Sequence, residues 1–263
     1  PMTAAAERRR AAERQHTRDH PADSWTDRSI YERCILGFNS GPPIEPRAYN
    51  NHMQVFQTPG YVVIFNEMVH DARIVPLVPR DPLPGYLRQW MGDSRGRWDG
   101  DTLVVETSNL YQQNSFTWRQ GATQDTRVVE RFSRLDATTL LYEFTVEDPA
   151  TWTRPWSAEV PMSLSEDQVW EFACHEGNYG MDGILAGHPA VELRSSGRPR
   201  VGGNRRRSPG GLVGGGIGLV ATGSRCDECK RPRCCGNLTR IFSRRSPLRL
   251  VSQVPLYGAS AAE

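Results

Sequence analysis

The chain has 263 residues, of which 38% are hydrophobic and 24% charged, with a formal net charge of +2. No stretch reaches the roughly 20 apolar residues that a membrane-spanning helix needs, so no membrane span is expected. The net charge averages two unlike pieces: residues 194–263 carry 14 Arg and Lys against three Asp and Glu, whereas residues 1–193 carry 18 against 27. Only Phe242 and Tyr257 interleave with the arginines of the basic tail. That is too few aromatic faces to stack bases, and no specific nucleic-acid partner is expected.

Three regions follow from composition. Residues 1–23 read as a polar helical and linker segment, 24–190 as an antiparallel β domain, and 191–263 as a Gly/Arg-rich tail. About 190 residues suffice for one domain with a core of its own. The tail holds 12 of the 24 glycines and buries too little to offset its ordering entropy, so disorder is expected there. A shifted reading frame or an appended segment would produce such an abrupt change. No secretory signal opens the chain, which begins Pro1-Met2 and suggests a processed or truncated form.

In chain order, residues 3–20 are rich in Ala, Glu and Arg and predict a helix without an apolar stripe, packing weakly or fraying. Residues 21–27 form a linker with a cap-like Asp23-Ser24, and 40–51 an irregular loop. Strands are predicted over 53–58, 61–69 and 72–77, the first two joined by a Pro59-Gly60 turn. Pro79, Pro82 and Pro84 forbid a central strand over 78–89. Gly92-Asp93-Ser94-Arg95-Gly96 reads as a turn, and Asp99-Gly100 as the turn of a hairpin running into 102–107. Further strands are expected over 127–134, 138–147, 156–162 and 168–174, then a loop and short helix over 175–187. In the strand over 138–147, Leu140, Tyr142, Phe144 and Val146 share one face at period two. About eight strands with short connections make a mainly β fold, an antiparallel meander closing into a barrel or strongly curved sheet. Such barrels often keep a ligand cavity.

Four clusters carry candidate chemistry. In Asn66-Glu67-Met68-Val69-His70-Asp71-Ala72-Arg73 an apolar strand turns abruptly polar. Unbroken strand geometry puts Glu67, Asp71 and Arg73 on one face and Asn66 and His70 on the other; a bulge near His70 would unite them. Glu67 and Asp71 offer hard oxygen ligands for a divalent cation such as calcium, and His70 a general base. The structural alternative pairs Arg73 with Asp71 or Glu67. In Cys174-His175-Glu176-Gly177-Asn178-Tyr179-Gly180, His175 and Glu176 form an acid/base or metal pair, or the segment is a turn capped by Asn178. Residues 92–96 match Gly-x-Ser-x-Gly, but the strand before and helix after Ser94 that a nucleophile elbow requires are absent. A tight loop holding Arg95 and Arg97 toward an anionic or carbonyl group is at least as good a reading, and a structural turn a better one. Trp152 and Trp156, flanking Arg154, either line a cavity or pack the core. Four of the six cysteines lie in the tail, at a spacing (226, 229, 234, 235) too tight for an ordinary zinc site. Cys34 and Cys174 remain in the β domain, as a bridge or as two buried thiols.

Several blocks resemble a large, mostly uncharacterised family of exported soil-bacterial proteins: Glu67 to Ile74, Gly92 to Trp98, Asp148 to Trp156 and Ala173 to Gly180. So do Asp27-Arg28-Ser29, Glu32-Arg33-Cys34 and Tyr49-Asn50-Asn51. The resemblance spans roughly residues 24–187 and implies a periplasmic or secreted protein with a Cys34–Cys174 disulfide. The family usually has an export signal and an upstream region, and this sequence, opening at Pro1-Met2, is expected to depart from it there. The resemblance also implies hydrolysis of lactones such as acylated homoserine lactones. The expected activity is therefore a hydrolase opening a small ester or lactone by metal-assisted attack of water. Glu67 and Asp71 would hold the cation, His70, His175 and Glu176 would move protons, and Arg95 would stabilise the oxyanion. Asn66, Arg97, Trp152, Trp156 and Tyr179 would line the substrate. The alternative is a non-catalytic barrel around an apolar ligand.

Overall fold

The computed structural model describes residues 1–111, 121–195 and 248–251. The tail beyond residue 195 otherwise lies outside the described residues, as does its cysteine cluster. Three strands, β1 (His52–Thr58), β2 (Tyr61–Asn66) and β3 (Ala72–Pro76), form one antiparallel sheet. Five more, β4 (Asp93–Asp99), β5 (Thr102–Ser108), β6 (Arg127–Arg134), β7 (Thr139–Glu147) and β8 (Trp156–Leu164), form a second. A short strand from the tail, β9 (Leu248–Val251), pairs with β1 on one side and with the end of β8 on the other. The edge strands β3 and β4 approach each other: a Cβ on Gly96 would meet Val75 and Leu77 side chains at 2.7 and 2.9 Å. Among the described residues no ladder joins these two edges, so the sheet is not closed by hydrogen bonds.

Alternation explains the strands. In β7, Leu140, Tyr142, Phe144 and Val146 are buried while Leu141, Glu143 and Thr145 lie on the other face. Val62 and Ile64 of β2, Val128 and Phe132 of β6 and Met162 of β8 join them in one core drawn from both sheets. Two expectations need correction. Residues 92–96 are not a turn; from Asp93 they form β4, matched residue for residue with β5. Polar side chains hid the period, because inward-facing Ser94 is satisfied by the Thr107 hydroxyl at 2.8 Å. Residues 168–174 form no strand. The chain turns away after Leu164, where Ser165 receives the Asp167 N–H, and β9 occupies the neighbouring edge of β8.

Helix α1 (Ala4–Asp19) is capped by the Thr3 side chain on the Ala6 N–H. It does not pack by an apolar face; only Ala6 is buried. Its first turns are held instead by Arg9, which donates to the Gly121 and Ala150 carbonyls and to Thr151. The expected capping residue Ser24 closes a capping box on a one-turn 3-10 helix (Trp25–Asp27). Helix α2 (Tyr179–Ser195) ends the described part before the tail.

The irregular loop over 40–51 contributes to the core. Residues 40–44 are all buried. Ile44 packs among the core side chains and its N–H donates to the buried Tyr142 hydroxyl at 2.9 Å. That hydroxyl donates in turn to Glu130 at 2.8 Å. Glu130 receives a two-pronged pair from Arg73, at 2.7 and 2.9 Å. Arg73 therefore pairs across the core with β6, not with Asp71 or Glu67 as the local sequence suggested. Isolated, either charge would be strongly penalised there; the fork and the Tyr142 hydroxyl replace part of the lost hydration, while Arg73 Nε stays without a hydrogen-bond acceptor.

Candidate functional site

The polar block after β2 folds into a corner. The strand ends at Asn66, and residues Met68–His70 make a single 3-10 turn before β3. Val69 (φ 58°) and His70 (φ 42°) both adopt left-handed backbone. A β-branched residue there costs about 1–3 kcal/mol, and burial of Met68 and Val69 holds it in place. The Asn66 N–H donates to the Asp71 carbonyl at 2.8 Å, closing the turn. The Glu67 N–H donates to the His52 carbonyl at 3.0 Å, which extends the hairpin register and puts His52 beside Glu67.

Two histidines flank this corner, His52 at the start of β1 and His70 in the turn. His52 Nδ1 lies 2.9 Å from Oε2 of Glu67, whose side chain is 6% exposed against 24% for His52. The other carboxylate oxygen accepts the Trp170 N–H at 3.3 Å, and the exposed Asp167 carboxylate lies 3.9 Å from His52 Nε2. His70 Nδ1 lies 3.0 Å from the Phe172 carbonyl. A carbonyl only accepts, so this nitrogen carries the hydrogen and the Nε2 of neutral His70 is left with its lone pair. The His70 backbone N–H donates to the Glu67 carbonyl at 3.1 Å, so Glu67 holds the His52 ring through its side chain and the His70 backbone through its carbonyl. Asp71 points the other way. It accepts the Gly37 N–H and the Ser40 hydroxyl, both at 2.7 Å. Burial raises its pKa, against the pull of those two donors and of His70.

Chain segments far apart in sequence cover the corner. Cys34 and Cys174 are joined by a disulfide spanning 140 residues. Beside it, Asn178 donates to the Glu32 carbonyl at 3.0 Å, so it ties two segments together rather than capping its own turn. Glu32 itself is held by Arg28 and Ser29.

The remaining candidates scatter. His175, Glu176 and Tyr179 follow the disulfide but are exposed, and Tyr179 is 81% accessible. Arg95 and Arg97 alternate with the inward Ser94, Gly96 and Trp98, which places them on the outer face of β4 beside Glu106 of β5. Since Gly96 faces Val75 and Leu77, this segment follows the far end of β3, away from His70 at its start. Trp152 lies in the core and the partly buried Trp156 packs against it, their rings 5.7 Å apart, with Phe144 5.6 Å beyond Trp156. Asn66 is buried and donates to the Ser40 carbonyl. The corner thus brings together Glu67, His70 and the stretch before Cys174, and leaves out Arg95, Arg97 and the tryptophans.

His52 was missed, though a signal was present. A tight turn that pairs Thr58 with Tyr61 puts position 52 opposite 67 by counting back along both strands. Among the described residues, no three His, Cys, Asp or Glu side chains gather as metal ligands, and no helix is long and apolar enough to cross a membrane. No protein-family model matches the chain, and no curated protein or solved structure matches it significantly.

Proposed function

We propose that the chain is a hydrolase opening a small ester or lactone, acylated homoserine lactones included, with water activated at the β2–β3 corner. The carrying observation is the His52–Glu67 pair: an imidazole with one nitrogen fixed by a nearly buried carboxylate, next to a turn whose own imidazole, His70, is fixed by a carbonyl. Neutral His52 takes a proton from water at Nε2 while the water oxygen attacks the ester carbonyl. Glu67 stabilises the imidazolium. When the acyl–oxygen bond breaks, the imidazolium returns the proton to the departing alkoxide. His52 takes over the role that the sequence suggested for His70 or His175. In a second form of the reading Glu67 and Asp71 would hold a divalent cation that would supply Lewis-acid activation of the water; Asp71 would first have to leave Gly37 and Ser40, and Glu67 to give up hydrogen bonds it already accepts.

A panel of fluorogenic esters and lactones tests the reading. His52→Ala and Glu67→Gln should each lower kcat/KM by about 10²–10⁴-fold, the range for a general base. Turnover unchanged in both variants overturns it. Loss on exhaustive chelation, restored by calcium, selects the metal-assisted form.

The second reading is a barrel closed along β3 and β4 around an apolar ligand, with no reaction. It is favoured by the continuous run of rings from Phe132 through Tyr142, Phe144 and Trp156 to Trp152. Residues 41–44 would have to withdraw from the core to admit such a ligand. Native mass spectrometry showing a co-purified mass, with no turnover on the panel, would select it.

A further inference from the structure

The stretch between β8 and the disulfide touches the corner through its backbone. The Trp170 N–H reaches Glu67, the Phe172 carbonyl receives His70 Nδ1–H, and two residues later Cys174 is bonded to Cys34. Trp170 is 69% exposed, so it adds little packing to keep the segment down. Beyond the disulfide the Asn178 amide bonds the Glu32 carbonyl, two residues before Cys34. The Cys34 side follows the same pattern: from Gly37 and Ser40 it reaches Asp71, at the far end of the same corner. The cross-link therefore fastens together two segments that each hold one flank of residues 67–71.

We propose that residues 167–174 are a positioning strap, and that the Cys34–Cys174 disulfide is the clasp that keeps its backbone groups on Glu67 and His70. The inference rests on the hydrolase reading for its catalytic meaning but not for its geometry. The strap's contribution is tautomeric. An imidazole without a fixed acceptor distributes its proton between both nitrogens, whereas the Phe172 carbonyl selects Nδ1–H and keeps the Nε2 lone pair available. The Trp170 N–H does the same for Glu67: occupying one carboxylate oxygen leaves the other aimed at His52. Opening the clasp needs two electrons and two protons. A dithiol supplies both, the protein disulfide becoming two thiols and the dithiol becoming a disulfide.

The test uses the full chain with 15N-labelled histidine. In the oxidised protein, the His70 ring shifts are expected to be those of the Nδ1–H tautomer, and the Trp170 amide to be protected from exchange. After reduction by a dithiol, with the amide spectrum of β5–β7 unchanged, His70 should move toward the Nε2–H tautomer and Trp170 protection should fall at least tenfold. Trp170→Pro, which removes the N–H but keeps the disulfide, should change the His52 ring shifts while leaving His70 pinned. A His70 signal that stays Nδ1–H after reduction overturns the proposal. So does unfolding of the whole chain on reduction, because the disulfide then supports the fold rather than the strap. Turnover separates this result from the hydrolase reading. Ring shifts that respond as described, with no ester or lactone cleaved in any state, leave the strap standing and remove the activity. Turnover that is lost in His52→Ala but indifferent to reduction does the reverse.

Discussion

Asp148 illustrates how single side chains set the pH response of this protein. It accepts from the Thr151 hydroxyl at 2.6 Å, the Thr123 N–H at 2.7 Å and the Thr126 hydroxyl at 3.1 Å. Burial works to raise its pKa, but the Thr151, Thr123 and Thr126 donors outweigh it and hold the carboxyl below its ordinary value. A depressed folded-state pKa stabilises the fold above the unfolded-state value, and that contribution disappears as pH falls through the folded one. Asp148→Asn should therefore cost about 1–3 kcal/mol at neutral pH and less near pH 3, measured by urea unfolding at both. A cost independent of pH would contradict the assignment. The buried charge pair gives a larger effect. Glu130→Ala leaves Arg73 uncompensated in the core and should cost about 3–5 kcal/mol. Tyr142→Phe removes the acceptor of the Ile44 amide and one donor to Glu130, and should cost about 1–3 kcal/mol. If Glu130→Ala proves milder than Tyr142→Phe in the same denaturation series, the network has been misjudged.

At the scale of elements, the buried loop is as much a part of the fold as the strands. Gly41 has φ 81°, and an added Cβ there would come within 2.8 Å of Ile44 N and of the Pro43 carbonyl carbon. Both the left-handed backbone and the crowding require glycine. Gly41→Ala should lower the unfolding free energy by more than about 1 kcal/mol and loosen the Ile44 amide, seen as faster hydrogen exchange at that residue. The hairpins were visible in sequence because their turns and alternation are local. The β1–β2 pairing follows from Pro59-Gly60, and β4–β5 from Asp99-Gly100. Strand β4 began earlier than expected because Asp93 and Ser94 are buried polar residues, satisfied by Arg80 and by Thr107. Such partners lie on other elements, so a hydropathy pattern cannot reveal them.

For the whole molecule, β9 is the decisive piece. It lies in a tail whose composition predicted disorder, yet its four residues bridge the three-stranded and five-stranded sheets. Without it, the edges of β1 and β8 would present unpaired backbone groups. Leu250 stands opposite Met53 on one side and Leu164 on the other. Leu250→Pro removes a ladder donor and should lower the thermal midpoint and promote concentration-dependent association, read by light scattering. An unchanged midpoint and monodispersity would show that β9 does not hold the two sheets together.

The sequence alone determined the mainly β class, the N-terminal helix, most strand positions and the polar block at residues 66–73. These depend on periodicity and turn chemistry, which act over a few residues. It also contained the His52–Glu67 pairing, recoverable by counting along a hairpin. Only the tertiary structure decided that Arg73 crosses the core to Glu130, that Arg95 and Arg97 lie on the outer face, and that Phe172 and Trp170 reach His70 and Glu67. Those contacts join positions separated by 57 to 103 residues, and they form because two sheets must bury their apolar faces on each other. Which polar groups are thereby brought into reach depends on how the sheets and loops pack, which local sequence preferences do not specify.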